Sequence, residues 1–348
     1  MKILHVLNSA SIGGAESWFI DFAQACPPEV ENRLILIRAD GPFASDMGPY
    51  VHGTLRGTGG RIRRIRDLRR QCDAAAPDQI WLHSDLSRAY GAFLSGHDAP
   101  ACVAVCHSPW GAAHVGDRLG RTVRRSTWNG TILVSPSLCD YLPDGHRAGP
   151  HVAVLIPPSE RFTRIATGPH VGDKGQALIY VSRLVEGKGH ESLLRAFCLA
   201  LQEYPNATLT IVGDGPLAAS LRELAASLGI EHAVSFVGET TDVAPYLSEA
   251  DVFVHPSESE GMPRSGLEAA FVGLPIVARE LPCHSRYLFS GLNGLYFSGG
   301  EEPMAHAILT VLAGIDRFTE GARSTRKFLL DDLDEKFRRG LDEVSLWH

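Results

Sequence analysis

Short runs of Val, Ile and Leu recur along the chain, separated by longer stretches in which apolar residues return every three or four positions. The first pattern suits a strand buried on both faces and the second an amphipathic helix. Their alternation predicts βαβ units, with parallel sheets covered by helices on both sides. In the first half, strands are expected near Lys2–Leu7, Arg33–Ile37, Gln79–His83, Cys102–His107 and Thr131–Ser135, with helices starting near Ala15, Arg61, Ser87 and Arg118. In the second half they are expected near Val152–Ile156, Leu178–Val181, Thr208–Val212, Ala233–Val237, Val252–His255 and Pro275–Ala278. The fold class is therefore α/β, with two doubly wound parallel sheets in series.

A length of 348 residues with 44% hydrophobic content is enough for two packed cores. Gly and Pro cluster between Gly145 and Lys174, where no helical period survives. A cut near Gly168 gives a first domain over 1–167 and a second over 168–331. The tail from Asp331, DDLDEKFRRGLDEVSLW, is amphipathic at helical spacing, so residues 332–348 are expected to form a helix crossing back onto the first domain.

The net charge of −7 argues against a general nucleic-acid binder. The charge is also uneven: residues 1–150 hold 16 basic and 14 acidic side chains, net +2, and the remainder nets −9. An anionic acceptor or membrane surface facing the first half accounts for this, and so does simple drift of surface charge between domains. Seven cysteines without CxxC or Cys/His ligand spacing suggest neither a disulfide framework nor a zinc site. The start, MKILHVLNSASIGGAE, is unlike a signal peptide, and no run reaches the roughly 18 apolar residues of a membrane span. A soluble, cytoplasmic protein is expected.

The chemistry concentrates in SEGMPRSGLEAAFVGLP, between the strands ending at His255 and starting at Pro275. Seven residues separate Glu260 from Glu268. The stretch Gly261, Met262, Pro263, Arg264, Ser265 is expected to open a helix, so that its amides and the positive end of the helix dipole face an anion, typically a phosphate. Two carboxylates flanking such a slot can grip hydroxyls on opposite sides of it. The plain alternative is that Glu260 caps the helix and Glu268 is solvated. The whole run resembles the nucleotide-sugar signature of retaining GT-B enzymes of glycosyltransferase family 4, in which Ser-x-x-Glu-Gly-x-Pro leads to Glu-Ala and Gly-x-Pro-Ile-Val.

Further pieces of that resemblance follow in order along nearly the whole chain. YVSRLVEGKG implies that Arg183 and Lys188 hold the donor diphosphate, and VSFVGET implies that Val237 and Gly238 line the nucleobase through their backbone. The resemblance also implies Glu260 on the sugar and Glu268 on the ribose. SASIGGAES resembles the family's N-terminal Gly-Gly loop, with Gly13 and Gly14 near the donor phosphates and acceptor. His107, at a strand end where the family commonly has a histidine, is implied to contact the donor sugar or steer the acceptor, and is grouped with Glu260 as catalytic. His83 ends the preceding strand in the same way. The fold implied is GT-B, two Rossmann-like sheets facing an interdomain cleft.

The activity implied is retaining transfer of a hexosyl group from a UDP- or GDP-linked sugar to a sugar or lipid-linked acceptor hydroxyl, in cell-surface polysaccharide, lipopolysaccharide or glycolipid synthesis. No metal and no cofactor beyond the nucleotide sugar are expected, since cations and amides already supply the charge. Gly213, Gly215 and Ala218 also satisfy G-x-G-x-x-A after a strand, which keeps an NAD(P)-binding protein as a rival. A GT-B sugar-nucleotide epimerase and a non-catalytic sugar-nucleotide binder are the others. Arg61–Arg70, with Arg56, is a strongly cationic helix that suits peripheral contact with an anionic membrane at the inner face of the cell membrane; a solvated face is the alternative. The chain departs from the family pattern at Pro157–Ser159 and after Ala278, where RELPCHSRYL replaces the expected Thr-x-x-Gly-Gly-x-x-Glu.

Overall fold

A computed structural model of the chain describes residues 1–38, 40–55, 61–84, 87–88, 94, 100–107, 129–141, 152–154, 156–157 and 176–347. It divides into two compact units, Met1–Ser159 with Leu333–His348, and Glu160–Asp332. Arg56, Ser159, the position of the expected cut at Gly168, the helix expected from Arg118 and most of that expected from Ser87 lie outside the described residues.

The first unit is a parallel sheet of β1 (Lys2–Leu7), β2 (Glu31–Leu36), β3 (Val51–Thr54), β4 (Gln79–Leu82), β5 (Ala101–Cys106), β6 (Gly130–Leu133) and β7 (Val152–Val154). Their order is β3-β2-β1-β4-β5-β6-β7. Period-two alternation sorts β1 between two cores. Leu4 and Val6 pack with Leu68 of α3 (Arg61–Ala75), whereas Leu7 packs with Phe19 of α1 (Gly14–Ala25). A four-residue helix, α2 (Ala44–Met47), seals the second cluster with Met47.

The second unit orders β8 (Ala177–Val181), β9 (Thr208–Val212), β10 (Val234–Gly238), β11 (Val252–His255), β12 (Ile276–Arg279) and β13 (Gly294–Phe297) as β10-β9-β8-β11-β12-β13. Its helices are α4 (His190–Ala200), α5 (Ala218–Ser227), α6 (Ala244–Glu249), α7 (Arg264–Val272) and α8 (Glu301–Ala313). Every strand pairing in both sheets is parallel. The two doubly wound sheets expected from the sequence are thus present. Strands β3 and β13 were not legible in the sequence. Each has only four residues, VHGT and GLYF, too short for a periodic signal.

The last helix, α9 (Ile315–Ser345), begins well before Asp331 and runs for 31 residues from the second unit into the first. Within the first unit its end is held by Gln79, whose Nε2 donates to the carbonyls of Val344 and Trp347, each at 2.9 Å. Trp81 Nε1 donates to Gln79 Oε1 at 2.8 Å, fixing that amide, and Phe337 meets Phe22 edge-on at 5.7 Å. No helix among the described residues is long and apolar enough to cross a membrane.

Candidate functional site

In a doubly wound sheet, ligands collect beyond the carboxyl ends of the strands where the winding reverses. In the second unit that point lies between β8 and β11. Arg183 and Lys188 follow β8, and Glu260 follows β11. The loops meet because Gly189 takes φ +73°, and a side chain there would collide with the carbonyl of Pro256. A left-handed, crowded position of this kind admits only glycine without strain.

Across this junction Lys188 Nζ lies 2.6 Å from Glu260 Oε1, with the two side chains 21% and 15% exposed. Glu260 therefore does not cap α7, whose N-cap is Pro263 with no side-chain cap bond. Nε2 of His255, a fully buried ring, stands 3.6 Å from the same oxygen. Burial, aided by the nearby His284 and Lys188, holds His255 well below the usual histidine range, so it is neutral. Arg183 is exposed, and its carbonyl accepts a 3.0 Å bond from His190 Nε2, which ties the backbone of the loop to the first residue of α4.

Beneath the ion pair is a polar layer. The Tyr180 hydroxyl lies 2.9 Å from both the Lys188 carbonyl and the Ser257 hydroxyl, joining the two loops a second time. Burial pushes the Tyr180 hydroxyl above its ordinary range, the Glu260 charge adding to it, so it stays protonated. His284 lies in the segment that departs from the family pattern. That segment forms a short 3-10 helix, Pro282–Arg286, which turns His284 inward. Its Nδ1 donates to the Arg279 carbonyl at 2.8 Å, and its ring meets His255 edge-on at 4.9 Å. Burial depresses His284 to about 4 despite the Arg279 bond. His255 and His284 escaped the sequence reading, and Ser257, the serine of the Ser-x-x-Glu-Gly-x-Pro run, was given no role there; of the two histidines only His255, at a strand end, carried a signal.

Helix α7 opens at Arg264, as the Gly261–Ser265 stretch predicts, and Arg264 and Ser265 are half-buried. Gly261 is buried and Met262 half-buried just ahead of it. Glu268, one turn inside, is buried rather than solvated. Val237 and Gly238 end β10 half-buried, and the Gly238 carbonyl accepts the Gly213 amide at 2.8 Å. At Gly213 and Gly215 a side chain would strike the carbonyls of Ser182 and Leu184. Close packing of the β9 turn on the β8 turn thus explains these glycines, with no dinucleotide phosphate required.

In the first unit the reversal lies between β1 and β4. Gly13 is the N-cap of α1 with φ −169°, and Glu16 of the first turn is buried against it. Gly14 begins the helix, exposed. His107, half-buried just past β5, bonds through Nε2 to Nδ1 of His83 at 3.0 Å. The structure thus joins the two histidines that the sequence placed at neighbouring strand ends. No group of three or more His, Cys, Asp or Glu among the described residues is arranged to hold a metal.

Residues 175–314 match the family model described as glycosyl transferases group 1. An uncharacterized glycosyltransferase of Haemophilus influenzae is 36% identical over 105 residues, which is 30% of this chain and 30% of that protein. The alpha-monoglucosyldiacylglycerol synthase of Streptococcus pneumoniae is 30% identical over 179 residues, 51% of this chain and 40% of that one. The aligned segments thus span well under half the length of these relatives. The crystal structure of Anabaena HepE in complex with UDP and glucose superposes with a TM-score of 0.82 at 20% identity, over 99% of this chain and 100% of that one. The fold is that of such enzymes, and the family match falls on the unit that holds Lys188, Glu260 and Glu268.

Proposed function

We propose that the protein is a retaining glycosyltransferase that moves a hexosyl group from a nucleoside diphosphate sugar to an acceptor hydroxyl in glycolipid or cell-surface polysaccharide synthesis. The observation that carries this reading is the Lys188–Glu260 pair at the winding reversal, inside the segment that matches the group 1 model. Lys188 and Arg183 would take the donor diphosphate together with the amides at the opening of α7, while the freed Glu260 carboxylate would accept bonds from sugar hydroxyls. Glu268, buried one turn into α7, would hold the ribose, and the Val237–Gly238 backbone the base.

In the transfer, the bond from the anomeric carbon to the phosphate oxygen breaks and a bond to the acceptor oxygen forms on the same face. The acceptor's proton passes to the departing phosphate. Charge builds on that phosphate, where Arg183, Lys188 and the opening of α7 would take it up, so catalysis would rest on positioning and electrostatic stabilisation without a metal. A UDP-linked donor is favoured, because the fold matches a protein solved with UDP and glucose. Arg63, Arg66 and Arg70 project from one side of α3, all exposed, beside Ile62 at 69% exposure. This cationic face with an apolar edge supports contact with an anionic membrane carrying a lipid-linked acceptor.

The test is to incubate purified full-length protein with UDP- and GDP-linked hexoses and acceptor extracts, then to measure nucleoside diphosphate release and product mass. Transfer with retained anomeric configuration is expected and should survive EDTA. Epimerised donor, NADH oxidation, or ligand-induced thermal stabilisation without turnover would each overturn the proposal.

A further inference from the structure

Strand β11 lies between β8 and β12 in the second sheet, so the loop leaving it, residues 256–260, can be gripped from either side. From β8, the Tyr180 hydroxyl reaches both the Ser257 hydroxyl and the Lys188 carbonyl at 2.9 Å. From the end of β12, Arg279 Nε donates to the Pro256 carbonyl at 3.1 Å, and its Nη1 donates to the Gly299 carbonyl at 2.9 Å. The Glu258 amide donates to the Gly187 carbonyl at 2.9 Å, joining the two loops through the backbone. Of these contacts, the one from Tyr180 falls on Lys188 itself. Ser257, at the other end of the bridge, stands three residues before Glu260.

The bridge has a fixed polarity. A phenol carries one proton and a carbonyl only accepts, so the Tyr180 O–H donates to Lys188 and the Ser257 O–H donates to the Tyr180 oxygen. Both side chains are fully buried, where phenylalanine and alanine would fill nearly the same space with no polar atom to satisfy. The two hydroxyls therefore answer to each other and to the Lys188 carbonyl. What they fix is the backbone that carries the ammonium and the start of the loop that carries the carboxylate.

We infer that Tyr180 and Ser257 are positioning residues whose buried bridge sets the spacing of Lys188 and Glu260, so that ammonium and carboxylate meet a donor in one arrangement. The role in transfer rests on the glycosyl-transfer reading; the setting of the ion pair does not. Arg279 secures the same loop from the far side, which leaves the Tyr180 bridge to adjust one loop against the other. Such control matters because a misplacement of about 1 Å at a reacting group can cost on the order of 100-fold in rate.

The experiment is 15N NMR of the lysine ammonium groups in the full chain, which has five lysines; the Lys188 signal is the one absent from Lys188→Met. Glu260→Gln marks the position of the ammonium without its carboxylate. In Tyr180→Phe the Lys188 signal should move from its wild-type position toward that mark. Ser257→Ala, which keeps the Tyr180 bond to Lys188, should move it less, and the double variant no further than Tyr180→Phe. An unmoved Lys188 signal in either single variant would overturn the inference. Kinetics with a UDP-linked hexose connect it to turnover. Tyr180→Phe should lower kcat/KM by about tenfold, the size of one hydrogen bond, and should have no further effect in a Glu260→Gln background. Equal losses in the two backgrounds, which a merely structural role gives, would also overturn it. If no donor supports transfer while the Lys188 signal moves in Tyr180→Phe, the glycosyl-transfer reading fails and the setting of the ion pair stands.

Discussion

Lys188 and Glu260, 72 residues apart in sequence, meet at 2.6 Å across the reversal point of the second sheet. At 21% and 15% exposure the pair is neither a solvated surface bridge nor a sealed one, and under the proposed function a donor diphosphate would compete for the ammonium. Each partner compensates the charge of the other.

Replacing either partner should therefore cost more in turnover than in stability. Lys188→Met and Glu260→Gln are each expected to lower kcat/KM by roughly 100-fold or more, the scale of losing one charged transition-state contact. The double variant should fall short of the product of the two losses, because the residues act as a unit. Strict additivity in a four-point kinetic cycle would remove the coupling from the mechanism.

Stability should fall as the medium is acidified. His5 and His284 titrate near 3 and 4 in the folded chain, below the value of about 6.5 for an unfolded one. Between those values the unfolded chain binds the extra protons, so stability rises with pH and is lost as pH falls below about 6.5. Each such histidine contributes about 1.4 kcal/mol per pH unit in that window. Urea unfolding at pH 7.5, 6.5 and 5.5 should show the decline, with a shallower one in His284→Gln. A flat profile would mean that these rings are hydrated in solution.

Gln79 is the clasp for the end of α9. Gln79→Leu leaves the Val344 and Trp347 carbonyls without their donor and should cost roughly 1–3 kcal/mol. Hydrogen exchange should rise in residues 333–347 before it rises in β1. Equal acceleration throughout the first unit would show that the helix end is not a separate element.

The α3 arginines should matter at membranes rather than in free solution. Changing Arg63, Arg66 and Arg70 to Gln is expected to abolish sedimentation with vesicles rich in anionic lipid, while transfer to a soluble acceptor persists. Binding that ignores anionic lipid content would leave α3 an ordinary solvated face.

Much of this architecture was legible in the residues. Hydrophobic runs located β1, β9 and β11 at their observed bounds, and a helix was expected to open from the Gly261–Ser265 loop, where α7 starts at Arg264. The four-residue strands β3 and β13 were not, since their pairing comes from neighbours already in place. Nor was the inward turn of His284, which depends on a 3-10 turn and its bond to Arg279 rather than on any periodicity.

By itself the sequence determined which segments are strands or helices and which loops carry charge, because period and loop chemistry are written locally. Only the tertiary structure decided which of those charges meet. Lys188 finds Glu260, and His5 finds His83 and then His107, through strand order and register, properties of the assembled sheets that no single segment encodes.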